Sequence, residues 1–321
     1  MGLTKLELEN IYRLMVQARV LEERLIKMSK SEDGYFWIGG PGEEAFNVPL
    51  GLLIRKGQGL DFDYCHFHYR ASASLLAMGS PMIDSIRQMA NRKTDPFSQG
   101  RNFVSHYAIK EWNVMPVSSP IEVQYSIAIG TAHAQRKHGG QGITIVTGEM
   151  LAAEGDFATC LNWSSRPGQE LPILIIVTNN QFGISTPFDQ VHGDKVIAKR
   201  AEGFGIKWGT VNGNDPIASY RKIEQAMDYV RKERKPFCLE AYVSRLHGHS
   251  SSSGGNRVDH EIDCITDFEQ VLIKEQVFAQ EDCDSIRKEY EEQALEDLKK
   301  VREEPFPSGE TIFDHTFKET H

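Results

Sequence analysis

Two short motifs carry the chemistry this sequence can do. Gly148-Glu149 closely follows a β-branched run at 143–146, and Asn179-Asn180 follows the apolar run at 172–177. A glutamate offers a hard carboxylate oxygen and an asparagine an amide oxygen. With one backbone carbonyl they supply roughly half of the octahedral oxygen shell that Mg²⁺ demands, the rest coming from water and substrate phosphates. A helix beginning near Glu154 would aim its free N-terminal amides at the same place, which suits an anion. These residues suit a Mg²⁺–diphosphate site. They also suit a plain Asn-Asn turn beside a solvated acid, and spacing alone leaves both open.

The elements that must position the two motifs are legible around them. Strand 143–146, helix 154–165 and strand 172–177 form a strand–helix–strand unit, which requires parallel strands. In an open parallel sheet, ligands bind beyond the carboxyl ends of the strands, where Glu149 and Asn180 stand. Helix 215–232 and strand 237–243 extend the same sheet. The expected fold class is α/β, a doubly wound, mostly parallel sheet with helical appendages at both ends. Residues 4–29 place Leu14, Ala18, Leu21 and Leu25 on one helical stripe. After the break Gly39-Gly40-Pro41-Gly42, residues 43–53 read as a helix with acids in its first turn. Residues 56–69 read as loop and short strand, 70–92 as helix, 93–120 as an irregular binding loop, and 120–137 as helix. Residues 246–259 are rich in Gly, Ser and His, and the loop 247–258 within them is expected to be mobile without a ligand; 284–304 is a charged helix stopped by Pro305 and Pro307. No sharp boundary divides the chain, so one domain over 1–321 is expected, with helical segments at about 1–60 and 262–321.

The motif from Gly148 to Phe157, with Asn179 to Pro187, resembles the thiamine-diphosphate motif, a Gly-acid-Gly turn followed some distance on by Asn-Asn. More closely, the chain resembles the alpha subunit of the 2-oxo acid dehydrogenases, the decarboxylating first component of the pyruvate and branched-chain complexes. Gly42-Glu43-Glu44-Ala45, His68-Tyr69-Arg70, Gly100-Arg101 with His106-Tyr107, Ser118-Ser119-Pro120-Ile121 with Gln124, Asn212-Gly213-Asn214-Asp215 and Arg245-Leu246-His247-Gly248-His249-Ser250 match that family's segments in order. The resemblance implies thiamine diphosphate and Mg²⁺ as cofactors. Glu149, Asn180 and the carbonyl of Phe182 would hold the metal. Tyr69, Arg70 and His249 would reach the diphosphate, Ser119 and Ile121 the aminopyrimidine side, and Gly148, Met150, Leu151 and Gly183 would line the cofactor. His249 would also be the catalytic residue.

The implied reaction is oxidative decarboxylation of a 2-oxo acid (a branched-chain 2-oxo acid or pyruvate), with acyl transfer to a lipoyl group of the acyltransferase component. The implied assembly is an α₂β₂ heterotetramer, inactive without its beta subunit. An acetoin-type dehydrogenase subunit, or a non-catalytic subunit of the same fold, fits the same motifs. Departures from the family pattern are Met150 for its second glycine, Leu151 for the following alanine, and Val123 where the branched-chain type has a threonine. Val123 has no oxygen to offer a potassium ion, so none is expected there.

Composition narrows the classes. With 36 Lys+Arg against 45 Asp+Glu and a net charge of −9, the chain is not steered toward phosphate backbones, so no nucleic acid is expected. No apolar run approaches membrane-spanning length. Five scattered cysteines without a CxxC argue for a reducing compartment, and the acidic opening lacks the marks of a signal or transit peptide. A cytoplasmic protein without a membrane partner is expected.

Overall fold

The computed structural model describes residues 2–314; Met1 and 315–321, the end of the expected C-terminal segment, lie outside the described residues. Helix α1 (Lys5–Met28) begins at a reciprocal cap, in which the Thr4 side chain accepts from the Glu7 amide and the Glu7 carboxylate accepts from the Thr4 amide. Its buried face includes Ala18, Leu21 and Leu25, with Leu14 at the margin. Helix α2 (Glu44–Leu53) and the short strand β1 (Tyr64–His66) follow. The single helix expected over 70–92 is two, α3 (Ser72–Ala77) and α4 (Met82–Met89). Gly79 takes φ +104° and Pro81 caps α4, a pair that ends one helix and starts the next.

Helix α5 (Val123–Lys137) starts three residues later than expected because Glu122 sits at φ +65°, outside helical space. Strand β2 (Thr144–Glu149), helix α6 (Gly155–Ser164) and strand β3 (Ile173–Asn179) form the anticipated unit. A small hairpin, β4 (Phe182–Gly183) and β5 (Thr186–Pro187), leads into α7 (Phe188–Val191). Then come β6 (Lys207–Asn212), α8 (Pro216–Glu233), β7 (Phe237–Tyr242), α9 (Cys264–Lys274) and α10 (Gln280–Glu303).

The main sheet has the order β1-β2-β3-β7-β6, and every neighbouring pair in it is parallel. Strand β3 is central and buried on both faces. Its Leu174 and Ile176 pack with Ile223, Met227 and Phe46 of α8 and α2, while Ile173, Ile175 and Val177 pack with Tyr125, Phe157 and Leu161 of α5 and α6. Helices on both faces make the fold the doubly wound α/β class read from the sequence. Edge strand β6 escaped that reading because Val211 is its one buried residue.

A third layer of helices, α1, α4, α9 and α10, covers α2 and α3 with its own apolar core. An ion-pair network ties it down. The Arg19 guanidinium donates to both Glu44 oxygens, at 2.6 and 3.0 Å, and to Asp263 Oδ2 at 2.8 Å, and Arg257 also reaches Asp263 at 2.8 Å. Among the described residues no helix is long and apolar enough to cross a membrane.

Candidate active site

Parallel pairing brings the two motifs together at one end of the sheet. Glu149 pairs with Thr178, so the last residue of β2 lies beside the tip of β3, and Asn180 follows immediately. Glu149 and Asn180 are both buried. The two asparagines divide the work. Asn179 braces the sheet: its amide donates to Glu240 on β7 at 2.7 Å, and its oxygen accepts from the Gln181 amide at 3.0 Å. Asn180 accepts from the Phe182 amide at 3.1 Å and leaves its own Nδ2 without a partner.

Arg70 is the hub. It lies past the end of β1, fully buried, and donates to Glu149 Oε2 at 3.2 Å, to the Gly39 carbonyl, and to His249 Nδ1 at 2.9 Å. Tyr69 donates its hydroxyl to Glu149 Oε1 at 3.5 Å, and Glu43 stands 4.0 Å from Arg70 Nε. Two buried carboxylates thus face one guanidinium. Burial pushes Glu43 up to about 8, against the pull of Arg70 and with the repulsion of Glu149, so it carries a proton at neutral pH.

A guanidinium can only donate, so His249 Nδ1 accepts and the ring proton sits on Nε2. Burial and Arg70 hold this histidine down to about 4. It is therefore the neutral Nε2–H tautomer throughout the physiological range, a hydrogen-bond donor aimed away from Arg70. Because the folded value lies below the ordinary 6.5, the unfolded chain takes up the proton first. The stability linked to His249 is complete above that ordinary value and is lost as pH falls through about 4. An NMR titration of the His249 ring should show its midpoint near 4; an ordinary histidine midpoint would contradict the Arg70 contact.

The turn after Glu149 is built without glycine. Neither Met150 nor Leu151 takes positive φ, so the two bulky residues do not force the backbone out of ordinary space. Met150 is buried in the core beside α5 and α6, and Leu151 lies on Gly183, where an added Cβ would come within 2.5 Å of it. Gly148 serves packing rather than a turn. A Cβ there would lie 2.0 Å from Glu122 Oε2 and 2.4 Å from the Tyr125 hydroxyl. That hydroxyl donates to the Ile176 carbonyl at 2.7 Å, and Glu122 accepts the Glu149 amide at 2.9 Å. Gly148→Ala should therefore cost about 1–3 kcal/mol in urea unfolding by overpacking α5 against β2. Gly155→Ala is the control: no atom stands within 4 Å of its added Cβ, and the change should stay within about 0.5 kcal/mol.

The dehydrogenase E1 component family matches residues 12–310 of this chain. The chain belongs to that family. The alpha subunit of 2-oxoisovalerate dehydrogenase from Bacillus subtilis (strain 168) is 32% identical over 252 residues, covering 78% of this chain and 74% of that protein. The mitochondrial alpha subunit of 2-oxoisovalerate dehydrogenase from Mus musculus is 26% identical over 323 residues, covering 98% of this chain and 71% of its own. The E1 chain described here is thus an alpha-type subunit of a 2-oxo acid dehydrogenase, an oxidoreductase component, as the motif order implied.

The E1 family's cofactor is thiamine diphosphate, and the residues at the strand tips fit it. Glu43 Oε1, His68 Nε2, Glu122 Oε2 and Asn180 Nδ2 are buried with no hydrogen-bond partner among the described residues. Buried polar atoms left unpaired in a cluster call for a ligand or ion. Of the residues read from the sequence, Tyr69, Arg70, Glu149 and His249 are in direct contact, Asn180 stands at the neighbouring tip of β3, and Phe182 and Gly183 follow it in β4. Ser119 and Ile121 lie in the segment leading to Glu122 and α5; exposed Ser119 is hydrogen-bonded to His106 Nε2. Among the described residues no hydrogen bond joins either to Arg70. Glu43 and His68 stand in segments matched to the family but were given no role, and Glu122 escaped the sequence reading altogether. Glu122 left one signal, a carboxylate at the start of an otherwise uncharged helical stretch.

The loop 247–258, expected to be mobile without a ligand, is tied by hydrogen bonds to its neighbours and to itself. Ser251 donates its amide to the Trp37 carbonyl at 2.8 Å, the Gly255 amide returns to the Ser250 carbonyl at 3.1 Å, and His247 bridges to Arg257. Serines compensate for missing apolar contacts by satisfying the loop's own backbone, as Ser253 Oγ does for the Ser250 amide at 3.0 Å. This holds His249 over Arg70.

Proposed function

We propose that the chain holds thiamine diphosphate through Mg²⁺ between the tips of β2 and β3, and contributes one side of an active site completed by a beta subunit in an α₂β₂ assembly. The observation that carries the reading is the cluster of four unpaired buried polar atoms around Glu149 and Arg70. Glu149, Asn180 and the Phe182 carbonyl would hold the metal. Asn180 would turn its amide oxygen to the ion. Arg70 would donate charge-assisted hydrogen bonds to the diphosphate, its planar fork suiting phosphate oxygens. Tyr69 keeps Glu149 oriented, and His249 presents an Nε2–H donor at the mouth. Ser119 and Ile121 would lie along the aminopyrimidine side.

When bound, the cofactor supplies the electron sink that stabilises the carbanion left by loss of CO₂. The chain's own part is placement. Arg70 fixes the anionic end, His249 donates a hydrogen bond to developing negative charge, and the buried floor of β2 and β3 excludes water. We infer a branched-chain 2-oxo acid as substrate, from the names of both relatives, with the acyl group passing to a lipoyl acyltransferase. Calorimetric titration of the chain with thiamine diphosphate should give saturable heat only when Mg²⁺ is present. Turnover of 3-methyl-2-oxobutanoate should require the beta subunit. Heat without Mg²⁺, or turnover by the lone chain, would overturn the reading.

A further inference from the structure

We propose that His192, Arg200 and Asp194 are positioning residues that set the backbone of the turn after Glu149 to receive a diphosphate. The proposal rests on the cofactor reading above and assigns to this chain a device that its motif residues do not contain.

Arg200 Nη1 donates to the Ala152 carbonyl at 3.0 Å, and its Nη2 donates to His192 Nδ1 at 2.7 Å. Since Nδ1 must accept, Nε2 carries the ring hydrogen, and it is hydrogen-bonded to the Met150 carbonyl. Asp194 fixes the guanidinium through two contacts of 2.7 Å, to Nε and Nη2. The other carbonyls of the turn are also taken: Glu149 O accepts from the Ala152 amide at 3.1 Å and Leu151 O from the Glu154 amide at 3.0 Å. All four carbonyls from Glu149 to Ala152 are thus engaged. The amides of Leu151 and Ala153 have no acceptor among the described residues, whereas the parallel ladder aims the Met150 amide at the Thr178 carbonyl.

A trans peptide points its C=O and N–H in opposite directions. Holding the Met150 carbonyl from the His192 side therefore aims the Leu151 N–H the other way, and holding the Ala152 carbonyl aims that of Ala153. These two free amides beside the uncapped start of α6 make an anion-binding surface. Glycine at this turn would let the backbone find such a shape by itself. Met150 and Leu151 are not glycine, and the shape is imposed from outside by the 192–200 segment.

The test is calorimetric titration of thiamine diphosphate, at saturating Mg²⁺, into the full chain and four variants. His192→Leu and Arg200→Ala should weaken binding by about 10- to 100-fold, the range for groups that orient a binding shell. His192→Gln, whose side-chain amide still donates to the Met150 carbonyl, should restore most of the affinity lost in His192→Leu. Asp194→Asn, at a half-exposed position, should weaken binding without threatening the fold. Binding of thiamine, which lacks the diphosphate, should be unchanged in all four, which a general loss of structure would not allow. With the beta subunit present, the apparent KM for thiamine diphosphate should rise while kcat at saturating cofactor stays near that of the unaltered chain. Unaltered affinity in His192→Leu, Arg200→Ala and Asp194→Asn overturns this proposal alone. An unaltered chain that binds thiamine but not its diphosphate overturns the cofactor reading and this proposal with it.

Discussion

Glu149→Ala should abolish Mg²⁺-dependent binding of thiamine diphosphate and lower the unfolding free energy by about 3–5 kcal/mol. Two losses combine. The metal loses its carboxylate, and Arg70 keeps its charge in a buried site where it retains the Gly39 carbonyl and His249 Nδ1 but no carboxylate nearer than Glu43, 4.0 Å away, among the described residues. A buried guanidinium does not release its proton, so the cost falls on the fold rather than on a shifted pKa. Calorimetry reads the first effect and urea unfolding the second. Glu149→Gln separates them: it keeps an oxygen for Arg70, should lose less stability, and should still fail to support tight binding. Full cofactor affinity in either variant would remove Glu149 from the site.

Arg19→Met should cost a similar amount, about 3–5 kcal/mol, with no contact to the strand tips. It strands Glu44, which is buried and then retains the Gly42 amide at 2.8 Å and the Cys264 thiol as its partners. The double variant Arg19→Met/Glu44→Gln should recover part of the loss, because a neutral amide still accepts from Gly42. Guanidinium or urea midpoints of the single and double variants check this; additive losses would show that the pair is not coupled. The effect should reach the site in weakened form. Gly42 belongs to the loop whose Gly39 carbonyl Arg70 holds, and a Cβ on Gly39 would lie 2.0 Å from Glu22 Oε2, so α1 lies directly against that loop.

The site was readable where local pattern decides geometry. Strand ends marked by polar residues, joined by a helix of suitable length, placed Glu149 and Asn180 at neighbouring tips. The extension of β2 by three residues and of β3 by two past their apolar runs was not visible, because Thr147, Gly148, Glu149, Thr178 and Asn179 have no apolar signature. Glu122 left only a faint mark and the 192–200 segment none, because their work is done across the fold: Glu122 acts on an amide 27 positions away, and Arg200 on a carbonyl 48 away. The break between α3 and α4 was written in Gly79-Ser80-Pro81, yet hydrophobic spacing runs through it. Met150 and Leu151, which depart from the family pattern, fit the turn because one side chain turns into the core and the other lies on Gly183.

The third helical layer joins the two ends of the chain: Arg13 on α1 meets Glu289 on α10, 276 positions later. A ribosome adds about 5–20 residues per second, so the apolar face of α1 emerges on the order of tens of seconds before the helix that covers it exists. During that interval the nascent chain carries an uncovered greasy surface. A protein built this way should be unusually sensitive to premature termination, and its early fragments should be natural clients of chaperones.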